Sequence, residues 1–297
     1  MAQLACAPVN DRAHERSEGH RSASLALPQR DTDAEATAPP PPPPPPRIPA
    51  GPVVLAPLEV TPPAHPLTGL DDFALASLIR TRTEELGSVS LGRPNRGGLF
   101  NGVQMPDGPL WHLEEPHNAW GTQETVDSIR RAIERVESDH PGSPPLHIGH
   151  ISRKRGGWLR PHRSHQSGRD VDLGYYYQDG PRWYAAATAQ NLDRPRTWSL
   201  LMGLLTQGNV EYVFITRDVQ ALLVEYAREQ GFEEGWLAEL FDSVPTRPGV
   251  RKGPLAPQPL VRHRRGHHTH LHVRFHSDAA CETGRRSFTL LRKNGKL

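Results

Sequence analysis

Apolar residues recur at helical spacing in several parts of the chain. The first stripe consists of Leu75, Leu78, Ile79 and Leu86. This spacing predicts a helix that ends at Gly87. A second stripe consists of Val126, Ile129, Ile133 and Val136. It predicts a helix that begins after Thr122, whose side chain can cap a helix N-terminus, and two further helices are predicted over residues 198–205 and 218–230.

Short apolar or alternating segments lie between these helices and predict strands. One strand is expected to begin at Leu146, and others are expected over residues 170–175, 210–215 and 269–275. The helices and strands follow one another without a regular β-α-β repeat, which favours an α+β fold over a doubly wound sheet. We therefore expect a small central antiparallel sheet flanked by helices.

The first 65 residues contain little that could form a core. They include eight consecutive prolines over residues 39–46. A segment of this composition cannot bury enough apolar surface to offset the entropy lost on ordering. The sequence therefore predicts a disordered tail with a polyproline linker over residues 1–65, followed by one folded domain over residues 66–297.

Composition excludes several classes of protein. The formal net charge is +2, from 35 basic and 33 acidic residues, so no overall field favours nucleic acid, and the basic residues lack the interleaved aromatic side chains of a nucleic-acid platform. Two cysteines cannot build a disulfide framework, and neither belongs to a Cys-x-x-Cys pair. No apolar run approaches the roughly 20 residues that a spanning helix needs.

The first six residues lack the basic and apolar regions of an export signal. Leu4, Ala5 and Cys6 are nevertheless similar to the end of a lipoprotein signal. If translation starts upstream, Cys6 is a candidate site for a lipid anchor. The alternative is a chance cysteine in the tail.

Sixteen histidines are the unusual feature of the composition, and six of them lie within residues 263–276. Because alternate residues of a strand share a face, His270, His272 and Arg274 are expected to point one way. Leu271, Val273 and Phe275 are then expected to point the other way. The two histidines suit one metal ligand and one neighbour that acts on what the metal binds, although a His-x-His pair in so histidine-rich a segment also arises by chance.

A second polar cluster lies around residues 162–172. His165 is expected in a loop just before the strand that carries Asp170 and Asp172. His165, a carboxylate of this strand and His272 would together supply two imidazoles and one carboxylate. This set leaves a fourth position open, as catalytic zinc sites do. Taken alone, this segment is equally a polar loop with an Asp-capped turn. Asp170 is expected either to contact a metal ligand without binding the metal itself or to be a simple surface charge. Arg274 is expected to brace a carboxylate.

The two clusters are more specific together than apart. The spacing from His165 to Asp172, followed far downstream by His270 and His272, resembles a superfamily of zinc metallopeptidases. That superfamily includes the lysostaphin-type enzymes, the D-alanyl-D-alanine dipeptidases and the hedgehog signalling domain.

A closer resemblance rests on three segments: Gly-Gly-Trp at residues 156–158, the run His-Arg-Ser-His-Gln-Ser-Gly-Arg-Asp-Val-Asp at 162–172, and His-His-Thr-His-Leu-His-Val-Arg at 267–274. They are similar to the penicillin-insensitive murein endopeptidases, in which the spacings His-x-x-His and His-x-x-His-x-His recur. The resemblance extends over about residues 85–285.

The resemblance implies three zinc ligands, which are His165, Asp172 and His272. It also implies that His270 is a general base or an oxyanion stabiliser, and that His162 and His267 are additional histidines lining the same site. The implied reaction is hydrolysis, by metal-activated water, of the D-alanyl to meso-diaminopimelyl cross-links of peptidoglycan. That substrate would place the protein in the periplasm or cell envelope.

Two alternatives stay open at this point. One is a D-Ala-D-Ala peptidase or an L,D-peptidase of the same superfamily, and the other is a non-catalytic protein that binds metal or the cell wall. The sequence also departs from the family, whose enterobacterial members carry several disulfides, because Cys281 has no cysteine partner inside the expected folded domain.

Overall fold

The computed structural model describes residues 69–245 and 258–297. The tail predicted over residues 1–65 lies outside the described residues, and so does the proposed anchor residue Cys6. Cys281, the only cysteine among the described residues, is buried in the last helix.

Helices and strands alternate irregularly along the described part of the chain. The helices are α1 (Asp72–Thr81), α2 (Gln123–Asp139), α3 (Arg194–Leu205), α4 (Arg217–Glu229), α5 (Glu234–Leu240) and α6 (Asp278–Lys293). The strands are β1 (Val89–Arg93), β2 (Arg96–Phe100), β3 (Val103–Gln104), β4 (Trp111–Leu113), β5 (Trp120–Gly121), β6 (Leu146–Ile148), β7 (Asp170–Gly174), β8 (Val210–Ile215), β9 (Val261–His263) and β10 (His270–Phe275). Within these ranges no helix is long and apolar enough to cross a membrane.

Six strands form the main sheet, in the order β4-β6-β7-β10-β8-β9. The central neighbours β6, β7, β10 and β8 pair antiparallel, whereas β4 pairs parallel with β6, and β8 pairs parallel with β9. The predicted α+β class is confirmed, but the sheet is mixed at both edges. The reason is that α2 lies between β4 and β6 along the chain, and α4 and α5 lie between β8 and β9, so each connection is long enough for a parallel crossover.

The predicted faces of β7 and β10 are confirmed by burial. Leu271, Val273 and Phe275 belong to the main core together with Val171 and Leu173. The same core includes buried residues of α2, α3 and α4. The opposite face of β7 and β10 carries their polar residues, which form the site described below.

The second predicted helix is confirmed as α2. The Thr122 side chain accepts a hydrogen bond from the backbone N–H of Thr125, as expected of an N-terminal cap. The first predicted helix is shorter than expected, because α1 ends at Thr81 and Leu86 belongs to a separate 3-10 turn over Thr83–Leu86.

A second, smaller core joins α1, α6 and the β1-β2 hairpin. Its contact between α6 and β1 depends on Gly284, because a Cβ atom at this position would lie 2.3 Å from the carbonyl oxygen of Ser90. Helix α6 therefore lies closer to the β1 backbone than any other residue at this position would allow.

Gly284→Ala is expected to destabilise the protein, although alanine is ordinarily the better helix former. The expected loss in the free energy of unfolding is about 1 to 3 kcal/mol, as for other overpacked positions. Gly235→Ala in α5 is the matched control, since a Cβ atom there would meet nothing within 4 Å, and a gain of up to about 1 kcal/mol is expected. Denaturant unfolding of both variants measures the difference, and equal effects would contradict the close contact of α6 with β1.

Candidate active site

Four polar side chains are brought together by the pairing of β7 with β10. His272 lies opposite Asp172, and Arg274 lies opposite Asp170. Because these residues alternate along their strands, all four point to the same face of the sheet. The four side chains are almost completely buried, so their charges need partners within the protein.

His165 approaches this face from the loop before β7. Its backbone N–H donates to Asp170 Oδ2 at 3.1 Å, and its ring Nδ1 lies 3.0 Å from the carbonyl oxygen of Ile151. A carbonyl oxygen can only accept a hydrogen bond, so Nδ1 carries the proton. The lone pair of the neutral ring is therefore on Nε2, which points towards β7 and β10.

Three atoms form a small triangle at the centre of the cluster. His165 Nε2 lies 3.1 Å from His272 Nδ1 and 3.3 Å from Asp172 Oδ1, and the last two atoms are 2.9 Å apart. Ligand atoms around a tetrahedral zinc at roughly 2.0 to 2.1 Å stand about 3.3 to 3.4 Å from one another. The three ligands implied by the sequence resemblance therefore fit around one such ion.

The orientation of His272 is fixed from behind by Asp170. Asp170 Oδ1 lies 3.1 Å from His272 Nε2 and accepts a hydrogen bond of 2.8 Å from Arg274 Nε. Metal-binding histidines generally have such a carboxylate or carbonyl partner on the second ring nitrogen. The carboxylate-bracing role predicted for Arg274 is confirmed. The surface-charge alternative for Asp170 is wrong, because its side chain is fully buried.

These contacts govern the protonation of the cluster. Burial would raise the pKa values of Asp170 and Asp172. The Arg274 guanidinium beside Asp170, and the contacts of Asp172 with the His165 and His272 rings, nevertheless hold both values well below the ordinary range. Burial would lower the pKa of His272, but its hydrogen bonds to the two carboxylates raise the pKa to about 9. Both carboxylates are thus ionised at neutral pH and can serve as ligand and as hydrogen-bond acceptor.

His162 lies on the other side of Asp172. Its Nδ1 is 3.5 Å from Asp172 Oδ2, and its ring is 4.2 Å from that of His165, centroid to centroid. Ligand atoms of His162, His165 and Asp172 also lie within 4.8 Å of one another and could hold a metal ion. Burial and the neighbouring His165 lower the pKa of His162 to about 4. Two possible ligand sets therefore overlap. Both contain His165 and Asp172, and the third ligand is His272 in one set and His162 in the other.

His270 and His267 complete the group on the β10 side. His270 Nδ1 lies 3.0 Å from the hydroxyl of Thr269, and its Nε2 lies 3.7 Å from Asp172 Oδ1. The His267 ring is 5.0 Å from that of His270. Burial lowers the pKa of both histidines, that of His267 to about 3. The structure therefore brings together all six predicted site residues, although the role of each remains a prediction.

Residues 90–236 match the family model of the penicillin-insensitive murein endopeptidases. The chain belongs to that family. A murein endopeptidase is a peptidoglycan hydrolase, and the match includes His165 and Asp172. It ends before the histidines of β10, so their place in the murein endopeptidase site rests on the geometry described above. A search of curated proteins found no match to the chain.

Two residues of this murein endopeptidase site were not predicted. His150 Nδ1 lies 2.7 Å from His162 Nε2, and His150 Nε2 lies 3.1 Å from Glu115 Oε2. They form a chain of contacts from His162 towards the surface. Their segments carry no motif, and only the position of the segment after β6 beside β7 brings His150 to His162.

Two aromatic residues, Trp183 and Tyr184, were also not predicted. Tyr184 stacks on His270 with ring centroids 5.5 Å apart, and Trp183 lies against Tyr184 at 5.7 Å. Both lie in the long connection after β7, where the sequence shows no periodic pattern that would place them at a site.

Proposed function

We propose that the protein is a zinc-dependent DD-endopeptidase that hydrolyses the D-alanyl to meso-diaminopimelyl cross-links of murein. The observation that carries the proposal is the triangle of His165 Nε2, Asp172 Oδ1 and His272 Nδ1, with edges of 2.9 to 3.3 Å. The family assignment supports the peptidoglycan substrate. The two imidazoles and one carboxylate support zinc, which binds such mixed ligand sets in hydrolytic enzymes.

The two imidazole ligands would each be held in place by a neighbour. The carbonyl of Ile151 orients His165, and Asp170 orients His272. Bound in this site, zinc would polarise the scissile carbonyl and make water a nucleophile near neutral pH. The buried position of the ligands keeps bulk water from competing for their hydrogen bonds.

His270 is assigned the proton transfer. Its Nδ1 is occupied by the Thr269 hydroxyl, whereas Nε2 faces Asp172 and the centre of the site. A lowered pKa keeps the ring neutral, so Nε2 can accept a proton from the attacking water and return it to the leaving amine. His162 and His267 border the site on either side, where they can hydrogen-bond the peptide.

Attack by water forms no covalent acyl-enzyme. β-Lactams act by acylating a nucleophilic serine, so this mechanism gives them no group to acylate. The proposed chemistry thus agrees with the penicillin insensitivity in the family's name. Because murein lies outside the cytoplasm, we propose the periplasm or cell envelope as the place of action.

The decisive experiment is a digest of diaminopimelate-type sacculi with the full-length protein, either zinc-loaded or chelated, followed by mass analysis of the muropeptides. Conversion of cross-linked dimers to monomers with zinc alone is the expected result. Release of terminal D-alanine, or cleavage at an L,D-bond, would assign the protein to a related peptidase class. Unchanged muropeptides with a fully zinc-occupied site would reject hydrolysis and indicate a binding role.

A further inference from the structure

An exposed aromatic residue stands at the edge of the site. Tyr184 is 61 % exposed, and its ring is nearly parallel to that of His270, with an interplanar angle of 17°. Tyr184 thus stacks on His270 while more than half of its surface stays accessible to solvent.

The backbone at Tyr184 adopts a conformation that favours glycine. Its φ angle is 61°, in the left-handed region. A non-glycine residue in this region costs on the order of 1 kcal/mol, and such positions cluster at ligand-binding sites. The surroundings must therefore hold Tyr184 in place.

Trp183 provides one of these restraints. It stacks on His147 with ring centroids 6.3 Å apart. It also packs over Gly149, where a Cβ atom would lie 2.5 Å from the indole ring. The absence of a side chain at Gly149 thus creates the space into which Trp183 fits.

Two hydrogen bonds hold the segment that follows Tyr184. The Tyr177 hydroxyl donates to the carbonyl of Ala185 at 2.5 Å, and the backbone N–H of Ala187 donates to the carbonyl of His268 at 2.8 Å. The second bond fixes the segment to the residues just before β10. Tyr184 therefore lies in a restrained segment, next to the end of β10 that carries His270.

We propose that Tyr184 is a substrate-binding residue that packs against the stem peptide beside the scissile bond. This inference rests on the proposed function. The aliphatic part of the peptide, with its methyl and methylene groups, would lie on the exposed part of the ring, and the hydroxyl would hydrogen-bond a peptide polar group. An aromatic ring with a polar tip suits a peptide in which aliphatic groups and polar backbone groups follow one another.

The test compares Tyr184→Ala, Tyr184→Phe and Tyr184→Asn with the wild-type protein. Asparagine tolerates the left-handed backbone but lacks the ring. Phe73→Ala on α1 is the matched control, since Phe73 is an exposed aromatic residue on a helix of the smaller core. The readouts are KM and kcat on soluble cross-linked muropeptide dimers, the dissociation constant of the uncross-linked tetrapeptide product, and zinc content.

Tyr184→Ala and Tyr184→Asn are expected to raise KM and the product dissociation constant about three- to tenfold, the range of an aromatic contact. Tyr184→Phe is expected to retain most of the affinity, and Phe73→Ala all of it, with zinc content unchanged throughout. Unaltered KM and product affinity in Tyr184→Ala, or full recovery in Tyr184→Asn, would overturn the inference. If the wild-type protein binds the product but cleaves no dimer, the proposed function fails, and the binding comparison still decides the role of Tyr184. If the wild-type protein binds neither the product nor the dimer, the proposed function and the role of Tyr184 both fail.

Discussion

His272→Ala is expected to lose zinc and nearly all hydrolytic activity, whereas His162→Ala is expected to keep zinc. The two overlapping ligand sets share His165 and Asp172 and differ only in these histidines. The triangle with His272 has shorter edges, and Asp170 orients the His272 ring. Loss of a metal that supplies several kcal/mol of transition-state stabilisation corresponds to a fall of about a thousandfold or more in kcat/KM.

Zinc content after dialysis and kcat/KM on muropeptide dimers measure these effects. His165→Ala removes a ligand that both sets share, so it should lose zinc in either case. His112→Ala is the control, because the His112 side chain is 65 % exposed and lies on the edge strand β4. Retention of stoichiometric zinc by His272→Ala, together with its loss in His162→Ala, would transfer the third ligand position to His162.

Asp170→Asn is expected to weaken zinc binding about 10- to 100-fold, as changes behind metal ligands do. It is also expected to reduce the free energy of unfolding by about 3 kcal/mol or more. The physical reason is that Arg274 is buried and has Asp170 as its ion-pair partner at 2.8 Å. The asparagine amide is nearly isosteric but cannot balance this charge, so the guanidinium would remain buried without a counter-ion.

A double-mutant cycle with Arg274→Met separates the two effects. The double variant is expected to recover much of the stability, because it no longer buries an unpaired cation. It should not recover zinc affinity, since His272 still lacks its carboxylate partner. Equal zinc affinity in Asp170→Asn and the wild-type protein would contradict the orienting role of Asp170, whatever happens to stability.

The faces of β7 and β10 could be predicted from the sequence, because the alternation of polar and apolar residues is a local property of a strand. Their register could not. Nothing in either segment shows that His272 stands opposite Asp172, because pairing depends on the folding of the roughly one hundred residues between them. The burial of Asp170 was missed for the same reason, since a strand's own sequence does not show what covers its polar face.

The elements that were missed have weak patterns for identifiable reasons. Helix α6 buries Ala280, Thr283, Gly284 and Ser287, which are small or polar residues and give no apolar stripe. The β1-β2 hairpin contains Gly97 and Gly98 within β2, and glycine in a strand weakens the propensity signal. In both cases close packing of small residues replaces the burial of large ones.

The separation of the site residues along the chain has a consequence for the order of folding. His165 and His272 are 107 residues apart, and the centre of the site exists only once β7 and β10 have paired. Closure of so long a loop is entropically costly, and contacts of this kind are expected late in folding. A nascent or partly unfolded chain therefore carries no assembled hydrolytic centre, so activity appears only with completion of the fold.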